Sequence, residues 1–122
     1  MTVHLDHLLV PSRSKVASAK LLAELLGVPW SETGVGPFAP VYVNDGLTID
    51  FDEWTDPIPM MHYCFRVGRD DFNVIFERIR ATGIPYRSTV ATFMGRSTSE
   101  LTRSTAAASS TGTNQMVING KC

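Results

Sequence analysis

The sequence has few cysteines and almost no net charge, and both features exclude broad classes of protein. Cys64 and Cys122 are the only cysteines among 122 residues, so a secreted fold held together by disulfides is not expected. Eleven Lys and Arg oppose twelve Asp and Glu, which gives a net charge of −1. Because nucleic-acid binding requires a basic surface, we expect no nucleic-acid partner.

Long hydrophobic segments are also missing. No apolar run approaches the roughly 20 residues that a membrane-spanning helix needs, and the N-terminus lacks the basic and apolar regions of a signal peptide. We therefore expect a cytoplasmic, reduced protein that does not associate with a membrane. The length suits one globular domain with a single core, so any sequence repeat lies inside that domain.

What the sequence does contain is one pattern that occurs twice. A histidine begins an apolar strand, an amphipathic helix follows, and the helix ends in Gly-Val-Pro-Trp at 27–30 or in Gly-Ile-Pro-Tyr at 83–86. His7 begins the first copy and His62 the second. Two copies of one unit can bring like residues to a shared centre, and neutral imidazoles are directional metal ligands. The pattern therefore predicts a divalent metal site that includes both histidines.

The first copy begins with a predicted strand over Val3 to Val10. Alternation along this strand puts His7 and Asp6 on opposite faces, and Pro11 is expected to end it. Ser12 or Ser14 caps a helix with apolar residues at helical spacing, and Gly27 ends that helix.

Two more strands, over 37–43 and 47–53, flank an Asp-Gly turn typical of a hairpin. Alternation puts Thr48, Asp50 and Asp52 on one face of the hairpin. In the second copy we expect a strand from Met60 to Val67, and then a helix that Asp70 caps and Gly83 ends. Phe72, Ile75, Phe76 and Ile79 form the apolar face of that helix.

From Ser88 onward the composition changes. Ser97 to Thr113 is almost entirely Ser, Thr, Ala, Gly and Arg, with too few large apolar residues to define a strand face. Such composition is typical of a flexible tail. The last strands expected of a second copy are therefore not evident.

Taken together, the doubled strand-helix pattern and the hairpin ending in Thr48-Ile49-Asp50-Phe51 resemble the vicinal oxygen chelate superfamily, which includes glyoxalase I, bleomycin-resistance proteins and extradiol dioxygenases. The likeness covers about the first 87 residues. It implies an α+β fold in which a βαβββ module occurs twice, over about 1–56 and about 58–122. Residues 88–122 are atypical, so the second module is truncated or altered.

The resemblance also implies a set of metal ligands. His7 and His62 match the two histidine positions, and Asp50 matches the carboxylate of glyoxalase-type members, with Asp52 as the reserve. Asp50 equally suits a solvated residue on an exposed hairpin face, and His4 has no counterpart and is not assigned. The family's last ligand is a Glu after an Asp-Gly-His run, which this chain lacks. We therefore expect a weakly held divalent metal, such as Zn, Fe, Ni or Mn.

The missing ending is compatible with a different reading frame of the same codons. Joining the last base of each codon to the first two of the next permits His-Gly-Pro-Val-Asp across Phe93 to Thr98. It also permits Gly-Gly-Arg-Ile-Val-Tyr-Trp across Thr105 to Gly112 and Glu-Pro-Asp-Gly-His-Gln-Trp-Glu across Thr113 to Lys121. In the alternative frame only two residues are forced by the codons, and both are glycines, one across Met94 and Gly95 and one across Met116 and Val117. The hypothesis is that the tail is an out-of-frame translation of an ancestral final module.

On this hypothesis the ligand Glu falls at Gly120 and Lys121, and Glu100 is the only carboxylate left in the tail. A module without its last strands exposes a sheet edge and an apolar cup, which a second chain can cover. We therefore expect a homodimer, with exchanged strands as one form.

Four residues are candidates for a substrate pocket: Arg66, Cys64, Phe38 and Trp54. Each also has a structural interpretation. A free Cys is usually a small buried hydrophobe, an Arg at a strand end commonly faces solvent, and aromatic residues at this spacing are more often core.

Two kinds of function follow. A metal-dependent lyase or dioxygenase would polarise the vicinal oxygens of a carbonyl or catechol-like substrate, and loss of the ligand Glu would impair it. A binding protein of the bleomycin-resistance type would hold a small molecule without metal. A folded remnant without activity is the third alternative.

Overall fold

The computed structural model describes residues 2–59, 61–84, 86–87, 105–108 and 115–120. These residues form an α+β protein with two helices and two β-sheets, which confirms the predicted class. The chain divides between Ile58 and Pro59 into two compact units. In the described ranges, neither helix has the length and apolar character that crossing a membrane requires.

The first unit contains a three-stranded sheet and one helix. Its elements are β1 (His7–Ser12), α1 (Lys15–Leu26), β2 (Ala39–Asn44) and β3 (Leu47–Glu53). The strand order is β1-β3-β2, with β1 parallel to β3 and β2 antiparallel to β3. An isolated antiparallel bridge joins Trp30 to Val41 on the outer side of β2.

The predicted bounds of the first strand are wrong at both ends. Strand β1 begins at His7 rather than Val3, and it runs through Pro11 to Ser12. It starts where its neighbour does, because His7 pairs with Thr48 near the start of β3. Pro11 does not end β1 because β1 is an edge strand, where a residue without an N–H is tolerated.

Helix α1 has the predicted ends. The side chain of Ser14 accepts a hydrogen bond from the N–H of Ala17, and Gly27 ends the helix at a φ of 72°. The helix contacts all three strands. Its buried residues and those of the sheet form the core of this unit: Ala19, Ala23, Leu25, Val10, Ala39, Val41, Ile49 and Phe51.

The second unit contains β4 (Met61–Arg66), α2 (Arg69–Thr82), β5 (Tyr86–Arg87), β6 (Thr105–Ala108) and β7 (Gln115–Gly120). The strand order is β4-β7-β6-β5. Both sheets therefore place the first strand of the unit beside its last. The pairing direction differs, however, because β4 and β7 are antiparallel whereas β1 and β3 are parallel. The repeat of one module stays a prediction.

Helix α2 differs from the prediction at its start. Gly68 is the N-cap, without a side-chain hydrogen bond, and Asp70 lies within the first turn. There its charge favours the helix through the helix dipole rather than by capping. The predicted end at Gly83 is confirmed, with a φ of 73°. The apolar face is confirmed for Ile75 and Ile79, which are buried.

The expectation of a flexible tail over 97–113 is wrong for Thr105–Ala108, which forms β6. Strand β7 lies just beyond that range, where no last strand was evident from the sequence. Strand β7 pairs with β4 along its whole length and with β6 on its other side. Backbone pairing of this kind does not require large apolar side chains, which is why the composition of Thr105–Ala108 did not reveal β6. The remainder of the tail, including Glu100, Phe93–Thr98 and Lys121, lies outside the described residues.

Candidate functional site

The face of the first sheet opposite α1 carries two rows of side chains across its three strands. In one row Thr48 of β3 pairs with His7 on one side and with Tyr42 on the other. In the next row Asp50 pairs with Leu9 and Pro40. Alternation directs the intervening residues toward the helix, so these six side chains share the other face.

This face forms the floor of a concavity of about 330 Å³. The loop before β2 adds a wall that contains Val35 and Phe38. Gly36 makes the loop possible, because its φ of 68° is a conformation that other residues rarely adopt. The lining residues are Asp6, His7, Leu9, Val35, Phe38, Pro40, Tyr42, Thr48 and Asp50.

The protonation equilibrium of His7 is perturbed in this concavity. Its Nδ1 lies 2.8 Å from Oδ2 of Asp6, and 60% of its side chain remains exposed. The hydrogen bond to Asp6 raises the pKa of His7 above its ordinary value of 6.5. Desolvation opposes that effect, whereas the negative charges of Asp6 and Asp50 add to it. The imidazole therefore lies close to negatively charged carboxylates, which favour its protonated form.

The residues present are of the right types for a divalent metal, but in the described part of the chain they form an incomplete set. Nδ1 of His7 is hydrogen-bonded to Asp6, so Nε2 is the ring nitrogen left to bind a metal. Asp50 supplies a carboxylate on the same face. Imidazole and carboxylate together suit transition metals. Nowhere among the described residues do three or more His, Cys, Asp or Glu side chains come together. At least one further ligand would be needed.

Asp50 and Asp52, the two alternative carboxylates, have different surroundings. Asp50 lines the concavity. Oδ2 of Asp52 instead accepts a hydrogen bond of 2.9 Å from the indole Nε1 of Trp54, and the carbonyl of Trp54 accepts another from Arg13. Asp52 and Trp54 therefore form a local pair at the end of β3, and Asp50 is the carboxylate that shares a site with His7.

Strand β4 of the second unit carries the other three candidates. His62, Cys64 and Arg66 alternate along the strand and are all exposed. Cys64 is thus not the buried small hydrophobe that its residue type favoured, because alternation places it on the solvent side with the two polar residues.

Asp6, Tyr42 and Thr48 were not predicted as site residues. For Tyr42 and Thr48 a signal was present, since both follow the strand alternation that places Asp50 on this face. For Asp6 the alternation was misleading. It lies just before β1 rather than within it, so its side chain need not point away from that of His7.

The solved structures that are similar to this chain include two oxidases. Oxidase ChaP-H2 shares 41% sequence identity with a TM-score of 0.70, over 75% of this chain and 71% of that one. Oxidase ChaP-H1 shares 37% identity with a TM-score of 0.63, over 68% and 66% of the two chains. No protein-family model and no curated protein matches the sequence significantly.

Proposed function

The chain belongs to the family of oxidase ChaP-H2, and we propose that it is itself an oxidative enzyme that acts on a small organic molecule bound in the concavity of the first unit. The observation that carries this proposal is the presence of His7 and Asp50 together in the floor of that concavity. The names of the two similar structures, both oxidases, and the resemblance of the sequence to the vicinal oxygen chelate superfamily suit an enzyme of the dioxygenase type.

In this proposal His7 and Asp50 would hold a divalent metal, and His62 would be its second imidazole ligand. The assignment of His62 rests on the matched sequence pattern around the two histidines. When bound, such a metal supplies Lewis acidity toward vicinal oxygens of the substrate.

The remaining lining residues determine what the concavity can hold. Leu9, Val35, Phe38 and the ring of Tyr42 present apolar surface, which favours an aromatic or aliphatic body. Thr48 lies between His7 and Tyr42 and can hydrogen-bond an oxygen of the bound molecule. A flat organic molecule with an apolar body and two adjacent oxygens suits this combination of apolar and polar lining residues.

The altered tail limits the activity expected of this chain. Because the ligand Glu implied by the resemblance to the vicinal oxygen chelate superfamily is missing, we propose that the protein is isolated largely free of metal, takes up added metal weakly and turns over little substrate. A version translated in the alternative frame from Phe93 onward should bind metal tightly.

Calorimetric titration with Zn²⁺ and Fe²⁺, the latter under anaerobic conditions, tests the proposed metal ligands. We expect weak binding to the unmodified chain, and further loss in His7→Ala, His62→Ala and Asp50→Asn. His4→Ala serves as the matched control, because His4 is an exposed histidine that does not line the concavity. If all four variants had the same metal affinity, His7, His62 and Asp50 would not be the metal ligands. Oxygen consumption by the frame-restored version with a panel of catechols tests the oxidative activity.

The second candidate is a metal-free small-molecule binding protein. The observation that favours it is the predominance of apolar residues in the lining of the concavity. Binding of an aromatic ligand that is insensitive to chelators and to His7→Ala would support this function over the first. A chain that binds neither metal nor ligand would be the folded remnant.

A further inference from the structure

We propose that Asp6 is a positioning residue that fixes His7 in one tautomer, with the proton on Nδ1 and the lone pair of Nε2 available to a metal. The role as a metal ligand rests on the proposed function, whereas the fixed tautomer does not. The sequence predicts no site role for Asp6. The role follows from its contact with His7 and from the backbone that holds it.

The direction of the hydrogen bond follows from the chemistry of its two partners. An ionised carboxylate can only accept hydrogen bonds, so the 2.8 Å contact requires a proton on Nδ1 of His7. A neutral imidazole carries a single N–H. Nε2 of the neutral ring is therefore unprotonated, which is the form that can bind a metal.

The backbone keeps Asp6 in place although its side chain is largely exposed. The carbonyl of Asp6 accepts a hydrogen bond of 3.0 Å from the N–H of Thr48. The residue is thus tied to the start of β3, and the next residue begins β1. A short side chain on a fixed backbone loses little conformational entropy when it forms a contact. The carboxylate is therefore poised beside Nδ1 before any ligand arrives.

Such an arrangement is how proteins commonly orient a metal-binding histidine. A carboxylate on the other ring nitrogen fixes the ring and raises its basicity as a ligand, and its loss typically costs about 10-fold to 100-fold in metal affinity. Asp50 cannot replace Asp6 in this role, because it is one of the ligands proposed above.

Nitrogen-15 NMR of metal-free protein tests the tautomer directly. At about pH 9 the imidazoles are neutral, and long-range proton-nitrogen correlations show which nitrogen carries the proton. We expect Nδ1–H at His7 in the unmodified chain and in Glu24→Gln, which removes a carboxylate from the helix on the other side of the sheet. Asp6→Ala should shift His7 toward the Nε2–H form. An unchanged tautomer in Asp6→Ala would overturn the proposal.

Titration with Co²⁺ provides the second readout. We expect Asp6→Ala to lower the affinity by about 10-fold to 100-fold. Asp6→Asn, which keeps an acceptor oxygen without the charge, should retain the tautomer and lose less affinity. Metal binding that is equal in Asp6→Ala and in the unmodified chain would overturn the positioning role. If the unmodified chain binds no metal, the proposed metal ligands are wrong, and the NMR result still decides whether Asp6 fixes the tautomer. Thermal melting checks that each variant folds.

Discussion

The imidazole Nδ1 of His7 lies 2.8 Å from the carboxylate Oδ2 of Asp6, the residue directly before it in the chain. This pair lies at the start of β1, where the regular alternation of the strand has not yet begun. It brings two polar side chains to one side of the chain at the edge of the concavity.

The first prediction concerns the protonation of His7. Because the hydrogen bond to Asp6 is the largest cause of the raised pKa, Asp6→Asn should lower that pKa, and an NMR pH titration of the ring protons measures it. A group with a raised pKa stabilises the folded state fully below its unfolded pKa, and this contribution is lost as the pH rises through the folded pKa. An unchanged pKa in Asp6→Asn, as expected for the Glu24→Gln control, would contradict the assignment.

The second prediction concerns the core under α1. Phe51 is 2% exposed, and Phe51→Ala should lower the free energy of unfolding by about 3–5 kcal/mol, because it removes apolar contacts and leaves a cavity. Chemical denaturation followed by circular dichroism measures the change. Phe51→Leu keeps most of the buried volume and should cost clearly less. Equal losses for the two substitutions would show that this position is not tightly packed.

The third prediction concerns the loop that forms a wall of the concavity. Gly36 has a φ of 68°, so Gly36→Ala should destabilise the first unit by about 1 kcal/mol through backbone strain. Gly46→Ala is the matched control, since Gly46 lies in a turn without a positive φ. Differential scanning calorimetry compares the two. If Gly46→Ala lowered the melting temperature and Gly36→Ala did not, the prediction of backbone strain at Gly36 would be wrong.

The fourth prediction concerns the reading frame. The coding DNA beyond Phe93, read in the alternative frame, should give the Gly-Gly-Arg and Asp-Gly-His-Gln-Trp-Glu runs. DNA sequencing decides the matter. Stop codons in that frame, or codons that give neither run, would end the hypothesis.

The fifth prediction concerns assembly. We expect a homodimer, because β4 is an outer strand of its sheet in the described part of the chain, and a second chain can pair with such an edge. Light scattering coupled to size-exclusion chromatography measures the mass over a wide concentration range. A monomer at every concentration would contradict this expectation.

The amino-acid sequence by itself determined the elements whose signals are local. Gly27 and Gly83 end the two helices, because a left-handed backbone depends on a few neighbouring residues. Local signals also limited the first N-cap to Ser12 or Ser14, and the structure uses Ser14. The hairpin formed by β2 and β3, and its buried and open faces, followed from alternation and an Asp-Gly turn. Alternation therefore put Asp50 on one face with Thr48, whereas the choice of His7 as a site residue came from the doubled pattern and the family resemblance.

Tertiary structure decided what depends on partners distant in sequence. The start of β1 is set by where β3 begins, and β7 exists because β4 offers it a backbone to pair with. The contact between Asp6 and His7 follows from the first of these, because a residue outside the ladder is free of the alternation that the ladder imposes. Local sequence cannot encode such features, since backbone pairing is satisfied by position and register rather than by residue type.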